Sequence, residues 1–207
     1  MASKNPAVEK VRARRIALIS DTHFMKPDGS DVPRALLKAL DGVDLILHLG
    51  HISSAASMDL LASVAPVLAV QTPLDDQQLG DALDAEQASG RTNGYTRVIE
   101  AGGVRIGALH NIASVSPKVV VVDNQRLKFP KASMSEVLRA RFGQAVDVVA
   151  FANTHVEIVA QREGVLFVNP GSPNLPGGAR EGGPGTIAVL DVRGGTMHVE
   201  VIEVPKR

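Results

Sequence analysis

Three short apolar runs, residues 15–20 (RIALIS), 44–49 (DLILHL) and 66–71 (PVLAVQ), constrain the fold of this chain more than any other feature. They are rich in branched side chains, and the segments between them, 34–40 and 55–64, read as helices. Strands that alternate with helices imply a parallel sheet covered on both faces. The first connection is a polar loop containing Pro27, Gly29 and Pro33.

The pattern then changes. Residues 77–94 are polar and read as a loop with at most a short helix. Residues 96–101 and 104–109, separated by Gly102 and Gly103, predict a hairpin, and 119–122 a short strand. A helix is expected over 133–142, with Ser133 as N-cap and Glu136 in the capping-box position, followed by a buried strand at 147–151. Beyond Asn153 come four strand-like runs without helices, at 157–161, 165–168, 186–192 and 197–204, which predict an antiparallel second half. The Gly- and Pro-rich stretch 170–185 is a long loop of the kind that often carries function. Two β-rich halves packed face to face and flanked by helices make an α/β sandwich.

With 207 residues, the expectation is one domain over 15–207, preceded by a polar lead-in at 1–14. Lys and Arg (22) balance Asp and Glu (22), and there is one Tyr and no Trp, so nucleic-acid binding is disfavoured. Without Cys there is neither a disulfide framework nor a thiolate metal site, which suits a cytoplasmic protein. No apolar run is long enough to span a bilayer.

The histidines carry the chemistry. Asp21 and His23 follow the first strand, His51 the second, His110 the strand 104–109, and Asn153 with His155 the strand 147–151. In an open α/β sheet, ligands collect outside the carboxyl ends of the strands. A carboxylate and imidazoles gathered there suit Mn, Fe or Zn. His48 and His198 fall inside strands and read as structural.

On the motifs Asp21-Thr22-His23, His48-Leu49-Gly50-His51, His110-Asn111, Asn153-Thr154-His155 and Asn169-Pro170-Gly171-Ser172, the chain resembles the calcineurin-like metallophosphoesterase superfamily. The resemblance is to its small bacterial and archaeal phosphodiesterase branch, to which the scaffold subunit of retromer is related. It implies a four-layer α/β sandwich, two mixed sheets flanked by helices, whose motifs hold two metal ions bridged by a carboxylate and a hydroxide. Under it, Asp21, His23 and His155 match ligands of the first metal and His110 a ligand of the second. The bridging aspartate of the family falls on His51, its metal-binding asparagine on Pro73, and the first histidine of its Gly-His-Thr-His motif on Asn153.

Two divalent ions about 4 Å apart repel by on the order of 16 kcal/mol at an effective dielectric of 20. The resemblance leaves Asp21 as the one carboxylate in these motifs, and an imidazole offers one lone pair, so His51 cannot bridge as a carboxylate does. Zero or one tightly held ion is therefore expected, with Asp75 or Asp76 as reserve ligands if their loop is displaced. Two functions stay open: a metal-dependent phosphoesterase acting on a small phosphate ester or nucleotide, with His110 and His51 as catalytic candidates, or an inactive phosphoesterase-fold scaffold with a protein partner. A phosphate or nucleotide sensor, in which Arg180 closes on an anion, would use the same pocket.

Overall fold

The computed structural model of the chain describes residues 6–52, 54–92, 94–123 and 126–206. In chain order its elements are β1 (Val8–Lys10), β2 (Arg15–Ile19), α1 (Arg34–Ala39), β3 (Leu45–His48), α2 (Ala55–Ala62), β4 (Val67–Ala69), α3 (Pro73–Leu79), α4 (Asp81–Ala88), β5 (Thr96–Ala101) and β6 (Val104–Leu109). There follow β7 (Val120–Val122), β8 (Arg126–Lys128), α5 (Met134–Phe142), β9 (Val148–Ala150), β10 (Glu157–Arg162), β11 (Val165–Pro170), β12 (Gly185–Arg193) and β13 (Thr196–Val204).

One sheet has the order β1-β5-β6-β9-β11-β10 and the other β13-β12-β2-β3-β4, with β7 and β8 as a separate ribbon. β2, β3 and β4 run parallel in one sheet, and β6, β9 and β11 in the other, so their carboxyl ends leave at one rim. The fold is the four-layer α/β sandwich. Ile16, Leu18, Leu45 and Leu47 pack against Ile106, Ala108, Val148 and Val168 between the sheets. The alternate residues of the same strands, Ala17, Ile19 and Ile46, face Leu36 of α1 and Met58 and Leu61 of α2. On the opposite outer face, Leu138 and Phe142 of α5 cover Val149 and Phe167. Both faces of the central strands are thus dry, which is why they read as continuous apolar runs rather than alternating ones.

The structure corrects several expectations. Residues 8–10, read as lead-in, form β1 and pair parallel to β5. The polar stretch after residue 72 is two helices. Thr72 and Asp75 close a capping box around Pro73 in the first turn of α3, and Gly80 separates α3 from α4. End signals rather than apolar periodicity specify them. Ser133 stands at the N-cap of α5 but makes no side-chain cap hydrogen bond. The Met134 N–H, one residue beyond it, donates to the Glu163 carboxylate, from the turn between β10 and β11. β8 completes a ribbon with β7. The four late strands form two antiparallel hairpins in different sheets, and β11 also runs parallel to β9. Among the described residues no helix is long and apolar enough to cross a membrane.

Candidate metal centre

Every candidate side chain but His110 leaves the end of a strand on a strained backbone. Asp21 (φ 50°) and His23 (φ 48°) follow β2, His51 (φ 63°) follows β3, and Asn153 (φ 77°) and His155 (φ 59°) follow β9. These are five of the seven described non-glycine residues with positive φ. Each left-handed residue costs about 1–2 kcal/mol, and such strain persists where surrounding structure dictates it. Here the ladder hydrogen bonds continue past the strand ends: Asp21 N–H donates to the Gly50 carbonyl and Ala152 N–H to the His110 carbonyl. Gly50 itself (φ 94°) leaves no room for a side chain, since a Cβ would lie 2.8 Å from Thr72 Cγ2 and 3.1 Å from His110 Nδ1.

The fully buried Asp21 carboxylate is the hub. Its Oδ1 lies 3.3 Å from His51 Nδ1, 3.5 Å from His155 Nε2 and 3.6 Å from His110 Nε2. His23 Nε2 is 3.4 Å from His155 Nε2. The Leu49 carbonyl accepts from His110 Nδ1 at 2.8 Å and the Leu175 carbonyl from His155 Nδ1 at 2.9 Å. Because a carbonyl only accepts, both Nδ1 atoms carry their protons, and in the neutral rings both Nε2 lone pairs face the carboxylate. Burial works to raise the Asp21 pKa, but whenever the facing rings take up a second proton, their hydrogen bonds from His155 and His51 and the positive charge of His110 and His155 outweigh it, holding the carboxyl far below its usual range. The hydrogen bond to Asp21 raises His155. Burial, then repulsion by His51 and His155, lowers His23 to about 4.

Acceptors that converge on an acceptor call for a cation. Four ligands of one tetrahedral ion at about 2.1 Å stand about 3.4 Å apart. Asp21, His23, His51 and His155 each present a ligand atom, all within 4.8 Å of one another, so the donor set fits one divalent ion. His110 borders this group on the Asp21 side, whereas Asn153 reaches it through its backbone, whose N–H donates to Asp21 Oδ2 at 3.1 Å.

Asp75 is no reserve ligand. Buried in the α3 capping box, its carboxylate accepts from the backbone N–H of Thr72 and also from those of His51 (2.9 Å) and Ile52. It fixes the turn that carries His51. Thr72-Pro73-Leu74-Asp75 is a capping-box pattern that the sequence displays. Asp76 bonds the Tyr95 hydroxyl instead. Asp75→Ala should cost about 2–3 kcal/mol of stability, seen as a lower Tm, and weaken metal affinity about 10–100-fold in a competition titration. An unchanged affinity would detach His51 from the centre.

The closing motif is a brace. Asn169 Nδ2 donates to the Ala152 carbonyl and to Thr154 Oγ1, and Ser172 Oγ donates to the Asp21 carbonyl at 2.7 Å. Gly171 (φ 76°) admits no Cβ, which would meet Thr186 Oγ1 at 2.1 Å. Asn174 Nδ2 reaches the His23 carbonyl. Arg180 does not await an anion: it is paired with Glu157 and Glu203, both at 2.6 Å. His48 is fully buried; its Nδ1 accepts from Gly50 N–H, and burial lowers its pKa to about 4. His198 lies exposed on the edge strand β13, outside the group.

Beside the centre opens a cavity of about 640 Å³, lined by His51, His110 and Asn153 on one side and by Pro73, Leu74 and Tyr95 on another. Arg141 of α5 also lines it. No motif marked Arg141, because only the packing of α5 on the sheet brings it there.

The family model for the calcineurin-like phosphoesterase superfamily domain matches residues 15–195. A probable metallophosphoesterase of Methanothermobacter thermautotrophicus is 30% identical over 188 residues, which cover 90% of this chain and 91% of that protein. Among solved structures, Vps29 of Chaetomium thermophilum superposes with a TM-score of 0.61 at 22% identity, covering 93% of this chain and 97% of its own. Wild-type Vps29 of Entamoeba histolytica, complexed with Zn²⁺, gives 0.58 at 16% identity, covering 92% and 99%.

Proposed function

Because this chain belongs to the calcineurin-like phosphoesterase superfamily, we propose that it is a phosphoesterase working with a single divalent transition ion, Mn, Fe or Zn. The observation that carries this reading is the convergence of His51, His110 and His155 on the one buried carboxylate of Asp21, with His23 alongside. The Zn²⁺ complex of Entamoeba Vps29 supports a divalent ion in this fold.

Asp21, His23, His51 and His155 would hold the ion. When bound, it would supply Lewis acidity toward a phosphoryl oxygen and toward water. The protein does the rest. Asp21 is kept ionised by its imidazole partners, and the Leu175 and Asp75 contacts orient His155 and His51. His110, with Nδ1 fixed on the Leu49 carbonyl, lines the cavity, where its Nε2, once it has taken up a proton, would pass it to the departing ester oxygen. The cavity accommodates the organic part of a small phosphate ester or nucleotide.

A second reading, a phosphoesterase fold that keeps the cleft without turnover and serves a protein partner, is favoured by one observation. Pro73 opens α3 with no donor atom, Asp75 is consumed as a cap and Asp76 holds the Tyr95 hydroxyl, so among the described residues this loop offers no free carboxylate for a second ion. Elemental analysis and hydrolysis of bis(p-nitrophenyl) phosphate and p-nitrophenyl phosphate on one sample separate the two. We expect at most about one tightly bound ion per chain and hydrolysis that a chelator stops. Two stoichiometric ions would overturn the single-ion centre, and one ion without hydrolysis of either ester would favour the second reading.

A further inference from the structure

Among the described residues four arginines are buried or half-buried, and three of these are neutralised. Arg91 meets Glu86 and Asp59, Arg97 meets Glu9 and three backbone carbonyls, and Arg180 meets Glu157 and Glu203. Arg141 is different. Among the described residues its guanidinium makes one hydrogen bond, from Nη2 to Thr96 Oγ1, and no carboxylate lies within ion-pair distance. Its Nε is buried without any partner. Burial lowers its pKa, and no neighbouring charge acts against that. A half-buried cation with no counter-charge is costly to keep, and an anionic ligand would relieve the cost.

Its position supplies the ligand's site. Thr96 pairs with Leu109 across β5 and β6, and the next residue is His110, so Arg141 and His110 share one cavity. In the same cavity, Tyr95 (51% exposed) and Leu74 (39% exposed) present apolar surface to solvent. An unpaired guanidinium fork suits a phosphate, and an aromatic ring with a leucine suits a flat or apolar organic group.

We propose that Arg141 is the anion-recognition residue of this cleft, which takes an organic phosphate with its phosphate on the guanidinium and its apolar or aromatic part against Tyr95 and Leu74. The inference rests on the proposed reading only in treating the cleft as the place where substrate binds. It names what that substrate must carry: a negative group joined to an apolar body.

The test measures binding without metal and therefore without turnover. Full-length protein treated with a chelator is titrated at one fixed pH with adenosine 5′-monophosphate, adenosine and inorganic phosphate in turn. The nucleotide should bind at least about tenfold tighter than adenosine and than phosphate. Arg141→Met should remove the preference over adenosine while leaving the adenosine affinity unchanged, and Arg141→Lys should retain part of it. Tm should hold or rise in Arg141→Met, because a cation without a counter-charge is being replaced by an apolar chain of similar length. Equal binding of nucleotide and adenosine by the parent protein would overturn the proposal. So would a preference that survives Arg141→Met, or nucleotide binding no tighter than that of phosphate. Should Arg141→Met fail to fold, the same comparison in Arg141→Lys decides: an undiminished preference would overturn the role of the fork. Loss of hydrolysis in the metal-loaded enzyme would leave this binding result standing, so the two readings fail separately.

Discussion

Asp21→Ala should abolish metal-dependent phosphoesterase activity and lower divalent-ion affinity by at least about a hundredfold, the upper end of what even an outer-shell change costs. Three imidazole nitrogens face Asp21 Oδ1 at 3.3–3.6 Å, and among the described residues no other carboxylate belongs to the group that could hold an ion. Without it the ligands are neutral, and the charge that offsets a divalent ion is gone. The shape-conserving Asp21→Asn separates charge from packing. It can still accept from the Asn153 N–H, yet it should lose the metal and let the raised pKa of His155 fall in an imidazole titration, because the hydrogen bond and the negative charge that lift it are both removed. Activity that survives Asp21→Ala would place the chemistry elsewhere, and a His155 titration unmoved by Asp21→Asn would contradict the hub geometry.

His51→Asp should move the centre in the opposite direction, raising metal content above one ion per chain or hydrolysis of a phosphodiester by about tenfold. A pair of divalent ions about 4 Å apart repel by about 16 kcal/mol at an effective dielectric of 20, and a carboxylate near both offsets a comparable amount. The position is prepared for it. Its φ of 63° is one that aspartate tolerates, and its backbone N–H would stay on Asp75. Before metal is added, the new charge beside Asp21 should lower Tm, and added Mn should restore it by more than in the parent protein. If neither metal content nor rate changes, Pro73 and the exposed Asn153 side chain, rather than His51, keep the second ion out.

The strands and helices that shape the rim were legible because their periodicity is local. The runs at 15–20, 44–49 and 147–151 became β2, β3 and β9 within a residue or two of the expected ends. Helices α3 and α4 were not, since their apolar pattern is thin and a capping box with a glycine break defines them. Ser133 is the N-cap of α5 as its position in the sequence indicates, but the acceptor that serves the first turn, Glu163, is far away in sequence and near in space. Arg180 and Arg141 show the same limit. Each follows an alanine in the sequence, and only tertiary contacts decide which one is neutralised by glutamates and which is left with a single hydroxyl.

The chain's own order of residues determined the layered α/β architecture and the kinds of donor gathered at the rim, one aspartate among imidazoles, because side-chain chemistry and strand-helix alternation are written position by position. Tertiary structure alone decided that Asp21 is the hub, that Asp75 is a brace and not a ligand, and that Arg141 enters the cleft. Those outcomes depend on register between distant strands and on which charges find partners across the sandwich, and neither is encoded in any short stretch of sequence.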